Sequence, residues 1–585
     1  NPQSPIPKIY IFFFNFFIIF KKMYLINFKA HSPFFVFFLL FILLNITNQI
    51  NQEKANNSSK QSIKRMIILL IPGGYSHNIV LQNLLDYTKS HEEEFKYEYH
   101  IISHKIDSEI WEQKIKSDNS YKLYTYGDSD AYDETMKSAI EEMNNNPTFG
   151  FYGFNRAMIL NIKHFMESDI LDKLRQLQTN YKIKYNEDYF HMIATDVPNF
   201  IHKLIYLELN IKLSLYIQPA LVFQIYYPNF ELNSAYTPMI GTIYNDEMTF
   251  FERLKNSFIF TFTKILFKIF QMYQTQIINS YGYDLDNNIH IFDSFHIIQY
   301  PLGLCFPISL PPNFALINSV TAQPAKKIKE QNIEKILNKY EKNIYISIGT
   351  LTNIILELND IIDIFKNLES ENIGVILSVK KDKINDEQIK DFPKNVYVSR
   401  WLEQNDILGD KRIKLFVTHG GFNSVQESIY HGKPMVVLGV NLDHFNVASF
   451  VKNKKLGEVF QKKNLINKEN IINSIKNVLN SEEYDNNVKK MGEIIRNNKN
   501  PREEFKYWID YGFKFGYQHL EIPSYKYKYS WIIVNGYDIA FIWVIIFIIF
   551  IYIIKRIYNC IHDCLCGKCE NKHKIRTKRN HYKFD

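Results

Sequence analysis

A chain of 585 residues exceeds what one hydrophobic core organises, so two domains with appendages are expected. Ile, Asn, Lys, Tyr and Phe dominate the composition, and they are spread over every kind of segment, so the bias carries no functional signal. Nine Lys/Arg against three Asp/Glu within residues 555–585 account for most of the formal charge of +8, which leaves a nearly neutral body and argues against a nucleic-acid partner.

In chain order, the first segments are apolar. Residues 1–22 contain IYIFFFNFFIIF and read as upstream sequence, with a second membrane anchor as the alternative. Met23 opens MYLINFKAHSPFFVFFLLFILL, a short basic region followed by an apolar run over Pro33–Leu44, which is the layout of a secretory signal peptide. Polar sequence follows to Arg65, with Asn-x-Ser/Thr acceptors at Asn45, Asn56 and Asn57.

RMIILLIPGG is then an apolar strand closed by Pro-Gly-Gly; HNIVLQNLLDYTKS reads as a helix and YEYHIIS as a strand, the start of a doubly wound α/β unit. ILDKLRQLQTN is a helix and YFHMIATD a strand ending in Asp196. Residues 200–300, rich in Phe and Tyr, read as mostly helix and loop whose rings line an apolar cleft. SVTAQPAKKIKEQN (319–332) reads as a linker, after which helices and strands alternate from IEKILNKYEK to PMVVLGV as a second parallel-sheet domain. Cys305 stands alone in the body, so no disulfide is expected there.

IAFIWVIIFIIFIYII (Ile539–Ile554) carries no charge and is followed by Lys555 and Arg556. Sixteen residues at 1.5 Å each fall short of a hydrocarbon core of roughly 30 Å, and Trp531, Tyr537 and snorkelling Lys/Arg make up the difference. The basic tail places itself in the cytosol and the preceding domains on the luminal side. Its Cys560, Cys564, Cys566 and Cys569 read as free or S-acylated, with zinc held by them and His562 or His573 as the alternative.

The chemistry concentrates in FVTHGGFNSVQESIYHGKP (Phe416–Pro434), where a strand turns into a helix. Ligands of open parallel sheets bind beyond the carboxyl ends of the strands, where helix N-termini present unpaired N–H groups suited to phosphate. Gly420 and Gly421 let an anion approach the main chain, Asn423 and Ser424 add donors, His419 points into the same crevice, and Glu427 offers a carboxylate to ribose hydroxyls. Asp-x-Asp pairs at Asp128–Asp130 and Asp284–Asp286 do not follow aliphatic strands and read as solvated loops, so no metal is required.

With its flanks WLEQNDILGD (Trp401–Asp410) and VNLDHFNVA (Val440–Ala448), this segment resembles the signature of the UDP-glycosyltransferases, the family that includes the membrane-bound UDP-glucuronosyltransferases. YNDEMTFFERLKN, LPPNFALINS, YISIGT and FKYWIDYGFKFGYQHL resemble further family blocks in the expected order, over about residues 66–556. The resemblance implies a GT-B fold: two facing Rossmann-like domains, the first binding an acceptor and the second a UDP-sugar. It implies that Trp401 and Gln404 hold uracil and Glu427 the ribose. Thr350, His419, Gly421, Asn423 and Ser424 would line the diphosphate, and Asp443 and His444 the sugar hydroxyls. The family's catalytic base corresponds to His77 in PGGYSHN, oriented by Asp196 in MIATDVP. The UDP-sugar is a co-substrate, and neither cofactor nor metal is expected.

The expected organisation is a signal peptide and extension (1–65), an acceptor domain (66–320), a linker (321–332), a UDP-sugar domain (333–500), helices returning to the first domain (501–536), a transmembrane helix (537–556) and a basic cytosolic tail (557–585). Expected partners are a UDP-sugar, a small lipophilic acceptor and membrane lipid in the endoplasmic reticulum, with homo- and hetero-oligomers left open. Several positions depart from the family pattern: Glu403 replaces a usual proline, Asp410-Lys411 a usual His-Pro, Ser378-Val379 a usual Trp-Arg or Trp-Lys, Asp443-His444 a usual Asp-Gln, and Val447 a usual Asn. The altered strand before Val379 motivates the alternative of a non-catalytic relative that binds UDP-sugar and regulates partner transferases. A nucleotide-sugar oxidoreductase is disfavoured by the lack of a Gly-x-Gly-x-x-Gly fingerprint.

Overall fold

The protein was described from a computed structural model covering residues 63–71, 74–145, 151–196, 199–218, 233–286, 294–301, 303–304, 306, 308, 310–347, 356–381, 383–439, 442–461, 466–520, 529–534 and 536–565. The expected signal peptide, the three Asn-x-Ser/Thr acceptors, Cys305, Thr350, Cys566 and Cys569 lie outside these residues.

Two all-parallel sheets organise the chain. The first contains β1 (Ile63–Ile71), β2 (Phe95–His104), β3 (Tyr121–Tyr126), β4 (Met192–Thr195), β5 (Leu213–Gln218), β6 (Ser294–Gln299) and β7 (Phe314–Ile317), in the order β3-β2-β1-β4-β5-β6-β7. The second contains β8 (Lys342–Ser347), β9 (Ile373–Ser378), β10 (Val396–Ser399), β11 (Ile413–Thr418), β12 (Met435–Leu438) and β13 (Gly457–Phe460), in the order β10-β9-β8-β11-β12-β13. Apart from the first two residues of β1 and of β2, both sheets belong to the larger of two contact units, residues 65–91 and 97–585. This is the GT-B architecture.

Parallel strands need helical crossovers, which cover both faces of a sheet, so their sequences are almost continuously apolar. LSLYIQ in β5 and SFHIIQ in β6 are buried at every position. Neither alternates, which is why the stretch 200–300 reads as helix and loop although it contains two central strands.

Each sheet reverses its order once, and ligand crevices open at such switch points. In the first sheet the reversal lies between β1 and β4, where Leu70 is in register with Thr195; the loops after these strands carry His77 and Asp196. In the second it lies between β8 and β11, where Thr418 is in register with Ser347, and His419 follows directly. Two helices start from these crevices, α1 (Tyr75–Ser90) and, after α2 (Phe151–Met166) and α3 (Phe250–Ser280), α4 (Phe422–Tyr430).

The chain between the sheets, residues 321–330, has no regular element and is pinned by side chains of the second half: Asn405 Oδ1 accepts from Gln323 N at 3.1 Å, and Asp406 Oδ1 accepts from Lys326 N at 3.0 Å. After α5 (Leu442–Asn453), helix α6 (Pro501–Phe515) runs back to the first sheet: Trp508 stacks on Phe295 of β6 at 4.3 Å, and Arg502 donates to the Val320 carbonyl at 2.8 Å. The last helix, α7 (Tyr537–Leu565), includes a 26-residue stretch, Tyr537–His562, whose most apolar 18-residue window has a mean hydropathy of 2.7 and no buried part. It continues well past the charge-free run and reaches about 39 Å, long enough by length and composition to cross a membrane.

Candidate active site

His77 stands in the first turn of α1, where Gly74 at φ 102° turns the chain out of β1. Its Nδ1 lies 2.8 Å from Oδ2 of Asp196, whose side chain is fully buried while that of His77 is 27% exposed. The family resemblance pairs these two, which are 119 residues apart. It does not point to Asp107, whose Oδ1 accepts from the Gly74 amide at 3.2 Å behind the same turn. No motif marks Asp107; it arrives only because the loop after β2 lies beside the one after β1.

The electrostatics tie the two sheets together. Burial pulls the His77 pKa down, but the hydrogen bond and charge of Asp196, with the charges of Asp443 and Asp107, more than offset it and hold the imidazole above 6.5. Asp443 is itself pushed upward by burial, against the opposing influence of its own backbone hydrogen bond, His419 and His77. Thus Asp443, in the first turn of α5, is felt by the imidazole of the first sheet and by that of the second. The halves are also joined covalently distant but spatially close: Asn446 of α5 accepts from Gly241 N at 2.9 Å and donates to the Met239 carbonyl at 3.1 Å.

On the second sheet, burial and then the neighbouring His444 lower His419 to about 3, with Asp443 and the Ser347 main chain opposing, so its ring is neutral near pH 7. The His419 and His444 rings meet edge-on at 4.8 Å, and burial lowers His444 to about 4. Among the described residues, Nδ1 of His419, Nδ1 of His444 and Oδ1 of Asp196 are buried with no hydrogen-bond partner. Buried polar atoms are rarely left so, and these lie around the crevice.

The turn into α4 leaves no room for side chains. Gly420 has φ +90°, and a Cβ there would lie 2.8 Å from Cγ1 of the core residue Val437; one on Gly421, the N-cap, would lie 2.5 Å from Nε2 of His419. Gly420→Ala is expected to destabilise the protein by about 1–3 kcal/mol through backbone strain alone, seen as a lower denaturation midpoint.

The remaining side chains are partly engaged with one another. Gln404 donates to Glu427 Oε2 at 2.7 Å and to Ser424 Oγ at 3.0 Å. Glu427 is buried; burial raises its pKa, against hydrogen bonds from Gln404 and Thr321. Asn423 accepts from Gln299 of β6 at 2.5 Å, so the second-sheet helix is tied to the end of a first-sheet strand. Trp401 is 51% exposed at the entrance. Beside the altered Ser378-Val379, Arg400 donates to the Val379 carbonyl at 3.4 Å and pairs with Asp386. Among the described residues, no group of three or more His, Cys, Asp or Glu is placed to hold a metal.

The sequence model of the family described as UDP-glucoronosyl and UDP-glucosyl transferase matches residues 67–569. The chain is 29% identical over 312 residues to UDP-glucuronosyltransferase 3A1 of Xenopus laevis, covering 50% of this chain and 57% of that one. It is 26% identical over 364 residues to 2-hydroxyacylsphingosine 1-beta-galactosyltransferase of Mus musculus, covering 60% and 64%. The chain therefore spans less than two thirds of either relative. A UDP-glucosyltransferase from Polygonum tinctorium has a similar fold, with TM-score 0.51, 13% identity and coverage of 77% of this chain and 98% of that one.

Proposed function

The chain belongs to the UDP-glucoronosyl and UDP-glucosyl transferase family, and we propose that it moves a hexose or hexuronate from a UDP-sugar to a small lipophilic hydroxyl-bearing acceptor, with inversion at the anomeric carbon. The observation that carries this reading is the His77–Asp196 pair at 2.8 Å, electrostatically linked to Asp443 of the second domain. With Nδ1 held by Asp196, Nε2 is the nitrogen free to act as base. It takes the acceptor's hydroxyl proton as that oxygen attacks the anomeric carbon. The bond from that carbon to the diphosphate oxygen breaks, and UDP leaves with the electron pair. The amides at the start of α4, Asn423, Ser424 and neutral His419 stabilise the charge growing on the diphosphate.

Trp401 offers a face to uracil, Gln404 hydrogen-bonds it, and Glu427 accepts from the ribose hydroxyls. Asp443 and His444 meet the sugar. The His444 departure, and a relative whose name gives a galactosyltransferase, keep galactose among the donors. Glu427→Gln is expected to weaken UDP binding about 10–100-fold, the value of hydrogen bonds to a charged acceptor, measured by calorimetry. We further propose a single-pass protein of the endoplasmic reticulum membrane, with both domains luminal and the tail cytosolic.

The test is turnover of labelled UDP-glucose, UDP-glucuronate, UDP-galactose and UDP-N-acetylglucosamine with phenolic acceptors by the full chain. A glycoside from at least one donor is expected. UDP binding without product from any donor would favour the regulatory reading.

A further inference from the structure

Helix α3 is inside out. Its buried face carries Asn256, Thr263, Gln271, Gln274 and Thr275 among only three apolar residues. That face is committed to the body: Asn256 accepts from Met239 N at 2.7 Å and donates to the Thr237 carbonyl at 3.0 Å, Gln274 donates to Asn155 of α2 at 3.4 Å, and Thr263 and Thr275 bond carbonyls of their own helix. The apolar residues point outward instead. Phe251 is 78% exposed, Phe258 71%, Leu254 59%, and Ile265 and Ile269 54% each, and the row continues through Met272 and Tyr273. Of the rings that the sequence places around a cleft, those of Phe251, Phe258 and Tyr273 stand on the outer surface instead.

At 100° per residue these positions fall within an arc of about 100° that runs along about 33 Å of a helix about 46 Å long. Lys255 and Lys268 are exposed at the two edges of the arc, against one acidic residue in the helix, Glu252. A second copy of the chain would bring these same positive flanks against each other. Anionic lipid headgroups complement them, and long basic side chains beside an apolar stripe are suited to reach phosphates while the rings enter the acyl boundary. The chain also carries a helix, α7, long and apolar enough to cross a bilayer, so a membrane is at hand.

We propose that α3 lies in the surface of a bilayer containing anionic phospholipid, as a second membrane attachment of the first domain, independent of the transfer chemistry. The test is the full-length chain in vesicles of phosphatidylcholine with or without phosphatidylserine, with Phe258 replaced by the photoreactive p-benzoylphenylalanine. Phe547 in α7, replaced in the same way, is the positive control. The expected result is a lipid adduct at 258, increased severalfold by phosphatidylserine, and reduced about tenfold by Lys255→Glu and Lys268→Glu together while the adduct at 547 persists. An adduct at 258 to a second copy, an adduct to another segment of the same chain, or none while 547 labels lipid, overturns the proposal. An adduct indifferent to both lysine reversal and phosphatidylserine overturns the headgroup selectivity.

Discussion

Replacing His77 by alanine is expected to lower kcat about 10²–10⁴-fold, the usual worth of a positioned general base. The imidazole is partly exposed and sits at a helix start, so its removal leaves no core cavity, and UDP affinity, set on the other sheet, should be unchanged. Steady-state kinetics with the best donor and a calorimetric UDP titration separate the two effects. Unaltered turnover in the alanine variant would remove His77 from the chemistry. The wild-type pH profile offers an independent check. A base works only when unprotonated, and the His77 pKa of the free protein lies above 6.5, so kcat/KM should rise with pH through a limb above that value.

Asp196→Asn is expected to lower kcat by a similar factor, on the order of 10²–10⁴, because the amide neither selects the tautomer nor stabilises the imidazolium. Its diagnostic is the direction of the pH shift. With the hydrogen bond and charge of Asp196 gone, the downward pull of burial wins, and the acid limb should move to lower pH even as the plateau falls. General loss of folding would lower the plateau without moving the limb. The pair also leaves a mark on stability. A histidine whose folded pKa is raised contributes stability that is complete below its unfolded value, near 6.5, and is lost as pH rises through the folded value. The melting temperatures of wild type and Asp196→Asn should therefore converge on the alkaline side of that window.

Much of this protein is local, and local features are legible in a sequence. A strand that ends in glycines before a capped helix, as in THGGFNSVQES, announces a phosphate-sized gap from backbone geometry alone. An uncharged apolar run before a basic block announces a membrane span. The roles of His77 and Asp196 are legible only through the resemblance of PGGYSHN and MIATDVP to the family's pattern, although each follows an apolar strand, where parallel sheets carry their chemistry. What the sequence could not supply is anything set by the crossing of distant segments. Asp107 reaches Gly74, Gln299 reaches Asn423, and Asp443 comes within electrostatic range of His77 only because two switch points meet. The facing of α3 belongs to the same class. Its 31 residues are apolar on one side and mixed on the other, and periodicity assigns the apolar side to a core. Hydrogen bonds of Asn256 with the main chain of residues 237 and 239, and of Gln274 with the distant Asn155, turn it the other way. A helix can satisfy buried amides only where partners stand ready, and the location of those partners is a property of the folded whole.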